Sequence, residues 1–233
     1  MRAAQKERSS PPRYWLKLAL FLVCAVTVLI GLDVANQALI TLRQLDQIEA
    51  NRDTWQRPAD IMQALNLRPG DSVLDLGCGS GYFSFKLSDT VGPGGKVTAE
   101  DIRRLSLVFL RLRIIRKGKH NITVLHGNID GPHLRAGSVN AVLILNTYHE
   151  FTAAREIMED VHQSLVPGGR VVIVDRSPIK AQGRSPSLRE HEVSPDQVEA
   201  DLRETDFQID SRRDDFISSD PEGEAWWIIV AHR

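Results

Sequence analysis

The sequence predicts a doubly wound α/β fold: a seven-stranded, mostly parallel sheet with helices on both faces and an antiparallel strand at its carboxyl end. Three observations carry this prediction. Short apolar runs alternate with helical patterns between residues 72 and 174, a glycine-rich loop directly follows the first run, and the pattern changes after Asp175. Alternation of this kind builds right-handed βαβ units, with helices covering both faces of a parallel sheet. The 233 residues suffice for one sizeable core, and two full domains would be crowded.

Taken in order, the chain opens on a basic tail, residues 1–14, carrying Arg2, Lys6, Arg8 and Arg13 against Glu7, with Lys17 just beyond it. The apolar run of residues 15–32 reaches about the lower length for a spanning helix, and Tyr14 and Trp15 suit the headgroup region. No small-x-small cleavage site follows Leu32, so a retained single-pass membrane anchor is favoured over a cleaved signal. Basic residues on its amino-terminal side put that side in the cytoplasm. The remainder of the chain then faces the other compartment, and sidedness stays open. Residues 33–51 form a helical connector with Leu39, Leu42, Leu45 and Ile48 at helical spacing. The globular domain spans 52–233.

Within that domain a short helix, "ADIMQALNL", leads through "RPGD" into the first strand. Strand-like runs fall at Ser72–Leu76, Lys96–Asp101, Ile122–His126, Val139–Asn146 and Arg170–Val174. Helical segments fall at Gly81–Ser88, Arg103–Lys117 and Thr152–Leu165. A helix "SPDQVEADLRETD" and two strand-like runs, "FQIDSRRDDF" and "AWWIIVAHR", close the chain. In the helix after the second strand, Leu105, Val108, Phe109, Leu112 and Ile115 are expected to pack on the sheet. Leu107, Leu110 and Ile114, flanked by Arg103, Arg111, Arg113 and Lys117, then form an outward stripe. Either the connector helix covers it or it meets a membrane surface.

The stretch "SVLDLGCGSGYFSFKL" places Gly77, Gly79 and Gly81 after Asp75. Ligands of such sheets sit beyond the carboxyl ends of the strands, where this loop lies. A dinucleotide fingerprint needs a small residue three positions after the second glycine, and Tyr82 stands there. A phosphate loop fails in "TVGPGGKV", where Thr90 and Val97 replace the required glycine and hydroxyl. Metal chemistry is not expected: "HEFTA" lacks a second histidine, and the two cysteines, Cys24 and Cys78, form no cluster. They form no disulfide framework either. "NIT" at Asn121 opens a strand and reads as a chance glycosylation match. A formal net charge of -1 points to no polyanionic partner, and no nucleic-acid binding is expected.

The glycine loop resembles motif I of the class I S-adenosylmethionine-dependent methyltransferases, and the resemblance runs from about Trp55 to Arg233. "KVTAEDI", "LHGNIDG", "SVNAVLILNTYHEF" and "SLVPGGRVVIVDR" follow it in the family's order. The resemblance implies a Rossmann-like domain with S-adenosyl-L-methionine as cofactor. Gly77, Cys78, Gly79 and Gly81 would then underlie its methionine and ribose, with Asp75 facing its amino end. Asp101 would accept the ribose hydroxyls, with Glu100 pointing the other way. Asn128, with Asp130 nearby, takes the place where the family usually reads the adenine amine, and Ile102, Ile129 and Asn146 complete the expected set. Trp55 and Arg57 either cover the cofactor or pack in the core.

Methyl transfer asks mainly for positioning, and for a base only where the acceptor keeps its proton. His149, with Glu150 to orient it, and Tyr148 are the catalytic candidates. The alternative is that His149 caps the next helix and Tyr148 lines the cofactor pocket. His191 lies where the family builds acceptor sites. The expected function is methyl transfer to a small acceptor at or near a membrane, with lipophilic compounds such as a quinone, a lipid or a hydrophobic small molecule to be considered first. Its alternatives are an anchored, non-catalytic binding module, a nucleic-acid methyltransferase disfavoured by "NTYH", and a dehydrogenase disfavoured by Tyr82. The oligomeric state is not legible.

Overall fold

A computed structural model describes residues 13–178 and 192–233. Arg2, Lys6, Arg8 and His191 lie outside the described residues. The expected anchor and connector are one helix, α1 (Arg13–Trp55), with no proline between its ends. By length and composition α1 is apolar enough to cross a membrane. The chain divides into two compact units after Gln47, so the last turns of α1 belong to the second.

That second unit continues with α2 (Pro58–Leu65), β1 (Ser72–Leu76), α3 (Tyr82–Val91), β2 (Lys96–Asp101), α4 (Arg104–Lys117), β3 (Ile122–His126) and β4 (Val139–Leu145). A 3-10 turn (Tyr148–Glu150), α5 (Ala154–Ser164), β5 (Leu165–Arg176), α6 (Pro195–Glu204), β6 (Gln208–Ile217) and β7 (Trp226–His232) complete it. The seven strands form one sheet in the order β3-β2-β1-β4-β5-β7-β6. β7 runs antiparallel between β5 and β6, and the other pairings are parallel. This is the doubly wound, Rossmann-like architecture with an antiparallel strand toward its carboxyl end that the sequence predicts.

Strands buried on both faces need apolar residues at consecutive positions, and "VVIV" in β5 and "VLIL" in β4 supply them. One face of the sheet packs Ile61, Leu65, Leu87 and Phe216; the other packs Met158, Val161, Val198 and Trp227. The buried Trp227 indole N–H donates to the carbonyls of Arg176 and Val193, so its burial leaves no orphan donor. Asn121 donates its amide to the carbonyls of Ser88 and Gly92 and is committed to holding α3 against β3. β4 ends at Leu145 because Asn146 adopts a left-handed conformation, φ 53°.

The faces of α4 are the reverse of those expected. Leu107 and Leu110 are buried, whereas Leu105, Val108, Leu112 and Ile115 face outward. Two apolar stripes compete for the sheet, and the one chosen also carries Arg113, whose side chain is 0% exposed. Its guanidinium is held bidentately by Glu49 of α1 and donates to the Ser80 carbonyl at 2.7 Å. Gly81 clears the same path: a Cβ there would stand 2.4 Å from Leu110 Cδ1. Removing one partner of a buried ion pair leaves the other desolvated. Glu49→Ala should therefore destabilise the protein by about 3 kcal/mol, measurable as a lower midpoint in urea with an unchanged slope.

Candidate active site

Strand order reverses between β1 and β4, and a cleft of about 430 Å³ opens beyond the carboxyl ends of these strands. β1 delivers Asp75 into it and β2 delivers Glu100 and Asp101. The loop after β1 lines its floor with Gly77, Cys78, Gly79 and Ser80. Backbone amides of Gly77 and Cys78 donate to the Glu100 carbonyl at 2.9 Å each, which ties the loop to β2. Gly77 has φ 76° and would drive a Cβ to 2.3 Å from the Thr147 side chain. Gly79 has φ 55°, and a Cβ there meets no protein atom, because it would project into open space. A backbone left bare on the open side of a cleft is a cradle for close ligand approach.

Asp101 accepts from the Gly79 amide at 2.8 Å and from the Arg103 amide at 2.6 Å. It is thereby oriented, and its remaining lone pairs are available to hydroxyl donors. Glu100, expected to point away, lines the cleft as well. Gly127 makes this possible, since a Cβ there would lie 1.2 Å from Glu100 Oε1. Burial, followed by the charges of Asp101 and Asp75, pushes the Glu100 carboxyl up to about 8. Burial likewise raises Asp75 to about 6, although Ser84 Oγ donates to it at 2.5 Å. Burial raises the Cys78 thiol above its ordinary range, so it serves as a neutral packing group.

Ile102 and Ile129 are large aliphatic residues left half-exposed or more, Ile129 at 71%. Both line the cleft, where two apolar side chains suit the faces of a flat heterocycle. Asn128 and Asn146 line it too, and Asn146 Oδ1 accepts from Arg176 Nε at 3.0 Å. Gly81 is not on the lining; it is the N-cap of α3. Asp130 pairs with His133 on the surface. Trp55 packs on the core beside Trp226, with ring centroids 5.8 Å apart, and Arg57 pairs with Asp60. Their neighbour Arg52 is the one that reaches the cleft.

The three catalytic candidates separate. Glu150 lines the cleft and accepts from Arg103 Nη2 at 2.6 Å across its mouth. His149 lies behind it, 2% exposed, with Nδ1 2.8 Å from Asp175 Oδ1 and Nε2 3.9 Å from Glu150 Oε1. Tyr148 is buried away from the cleft and donates to Asp201 of α6 at 2.8 Å. Burial raises its phenol, which keeps it a neutral donor. Sequence reasoning missed Glu100, Arg52, Arg103 and Asp175 as site residues. Asp175 carried a readable signal: an acid ending an apolar strand at the edge where the ligand loop lies.

The sequence pattern of the ubiE/COQ5 methyltransferase family matches residues 44–191. The demethylmenaquinone methyltransferase of Lactococcus lactis subsp. lactis (strain IL1403) is 33% identical over 125 residues, covering 54% of this chain and 49% of that protein. The chain spans about half the length of the curated relatives it matches. Among solved structures, a SAM dependent methyltransferase from Aquifex aeolicus aligns with a TM-score of 0.68 at 19% identity, covering 82% of this chain and 97% of that one. The [4+2]-cyclase SpnF aligns at 0.65 with 14% identity, over 76% of this chain and 80% of its own. These structural likenesses establish the fold, and a cyclase among them shows that the fold alone does not name a reaction.

Proposed function

We propose a function on one premise, that the chain belongs to the ubiE/COQ5 methyltransferase family: it transfers a methyl group from S-adenosylmethionine to a small lipophilic acceptor of the quinone type, beside a membrane to which α1 anchors it. The observation that carries this reading is the cleft itself. It joins a bare glycine cradle, two exposed isoleucines and a ring of carboxylates to an acid at the mouth backed by a buried histidine. The Lactococcus relative's name supports the quinone class.

S-adenosylmethionine, when bound, supplies an electrophilic methyl group. The residues around it hold and orient. Asp101 and Glu100 would hold the ribose hydroxyls, Ile102 and Ile129 would cover the adenine, and Asp75 would face the amino end. An electrophilic methyl demands an electron-rich acceptor atom, so a quinone-type acceptor enters in its reduced, hydroquinone form and gives up a hydroxyl proton. Glu150 at the mouth takes that proton. His149, held by Asp175 at 2.8 Å, stands 3.9 Å behind Glu150 and fixes its position by packing and charge rather than by a direct hydrogen bond. The Arg103 guanidinium at the same mouth stabilises the resulting oxyanion, whose electron-rich ring carbon would take the methyl group as the methyl–sulfur bond breaks, with S-adenosylhomocysteine leaving and the proton of that ring carbon lost to solvent.

The test is incubation of the full chain with labelled S-adenosylmethionine and a reduced, short-tailed demethylnaphthoquinone, with the product read by mass. Transfer is expected, and His149→Ala should lower turnover by about 100-fold with cofactor affinity unchanged. Cofactor binding without transfer to reduced quinones would remove this acceptor class.

A further inference from the structure

We propose that the outward face of α4 docks the domain on a membrane surface carrying anionic lipid. Leu105 and Ile115 are 69% and 79% exposed, and Val108 and Leu112 are exposed between them. At about 100° per residue these four side chains fall within an arc of about 80°, opposite the buried Leu110 and Leu107. The stripe has cations on both edges. Arg104 and Arg111 stand on one side and Arg116 on the other, all exposed. Between Arg103 and Lys119 there is no acidic residue at all.

This combination selects the occupant. A solvated helix face carries mixed charges and few large aliphatics. A protein partner would need fixed anions set around a groove that accepts a convex helix. A lipid surface needs neither: aliphatic side chains enter the acyl boundary while arginines at both edges meet the headgroup phosphates. The stripe also continues toward the cleft. Ile102, three residues before Leu105, lines it together with Arg103, so docking brings the cleft mouth against the surface. The inference goes beyond the acceptor reading and does not depend on it.

The test uses the full chain with Cys24→Ser and a spin label at Val108→Cys or Ile115→Cys, with Arg155→Cys, an exposed position of α5, as control. Collision rates with oxygen, which enriches in lipid, and with a water-soluble nickel complex are read on vesicles of phosphatidylcholine with and without phosphatidylglycerol. On phosphatidylglycerol, labels at 108 and 115 should gain oxygen collisions and lose nickel collisions severalfold, while the label at 155 stays unchanged. Replacing Arg104, Arg111 and Arg116 by Glu should abolish that response without altering S-adenosylmethionine binding. Labels at 108 and 115 as water-accessible as 155, or shielded from both agents as under a protein partner, would overturn the proposal. So would a response that survives the charge reversal.

Discussion

Gly79→Val should abolish S-adenosylmethionine binding while leaving the protein folded. Gly79 sits at φ 55°, where a β-branched residue costs about 1–2 kcal/mol. Its missing side chain would occupy cleft rather than core, since a Cβ there meets no protein atom within 4 Å. The fold therefore has little to lose, and the ligand loses the space it needs. Its amide also donates to Asp101, so any shift of the loop disturbs the carboxylate proposed to orient the ribose. Affinity should fall by at least about 100-fold, roughly 3 kcal/mol, in titration calorimetry, with a melting temperature only about 2–8 °C below that of the unaltered protein. Gly81→Val provides the contrast. Its Cβ would collide with Leu110 and crowd Phe85, so that variant should lose stability as well as binding. A Gly79→Val protein that binds normally would show that the cradle is not where the ligand lies.

The elements of this fold were legible because their signals are local. The apolar strands, the glycine loop and the acid at the end of β2 each declare themselves within a few residues, and the five parallel strands overlie the runs that the pattern marks, although β4 stops at Leu145 and β5 begins at Leu165 rather than Arg170. What failed was non-local. Both stripes of α4 have helical spacing, and only the burial of Arg113 against Glu49, 64 residues away, decides which one faces in. Glu100 and Asp101 should diverge if β2 stays regular to its end, yet both reach the cleft, and room for Glu100 comes from the missing side chain of Gly127 just after the neighbouring strand β3. His149 is legible as a candidate in the sequence, but its partner Asp175 comes from another strand, and spacing cannot pair them. Tyr148 is adjacent in sequence to the site and belongs to a different layer, because the 3-10 turn sends it toward Asp201.

S-adenosylmethionine affinity should rise with pH across the neutral range, and Glu100 should be the cause. In the ligand-free cleft Glu100 faces Asp75 and Asp101, and burial with these two charges raises it to about 8. It therefore holds a proton at neutral pH. A ligand that brings positive charge and hydroxyl donors favours the ionised carboxylate, which lowers its pKa in the complex. Binding then expels a proton below about pH 8, and affinity should climb by up to about tenfold per pH unit before levelling above that value. Folding carries the opposite sign. Unfolded carboxylates titrate near pH 4, so between about 4 and 8 the folded ligand-free protein holds the extra protons, and its stability falls as pH rises through that window. Calorimetry in two buffers of different ionisation enthalpy would count the proton released. S-adenosylhomocysteine, without the sulfonium charge, should show a shallower slope. Glu100→Gln, which has nearly the same shape and no proton to lose, should flatten the dependence. It should also remove most of the alkaline loss of stability in the ligand-free protein. Affinity that is level through the neutral range in the unaltered protein would mean that Glu100 is already ionised before the ligand arrives.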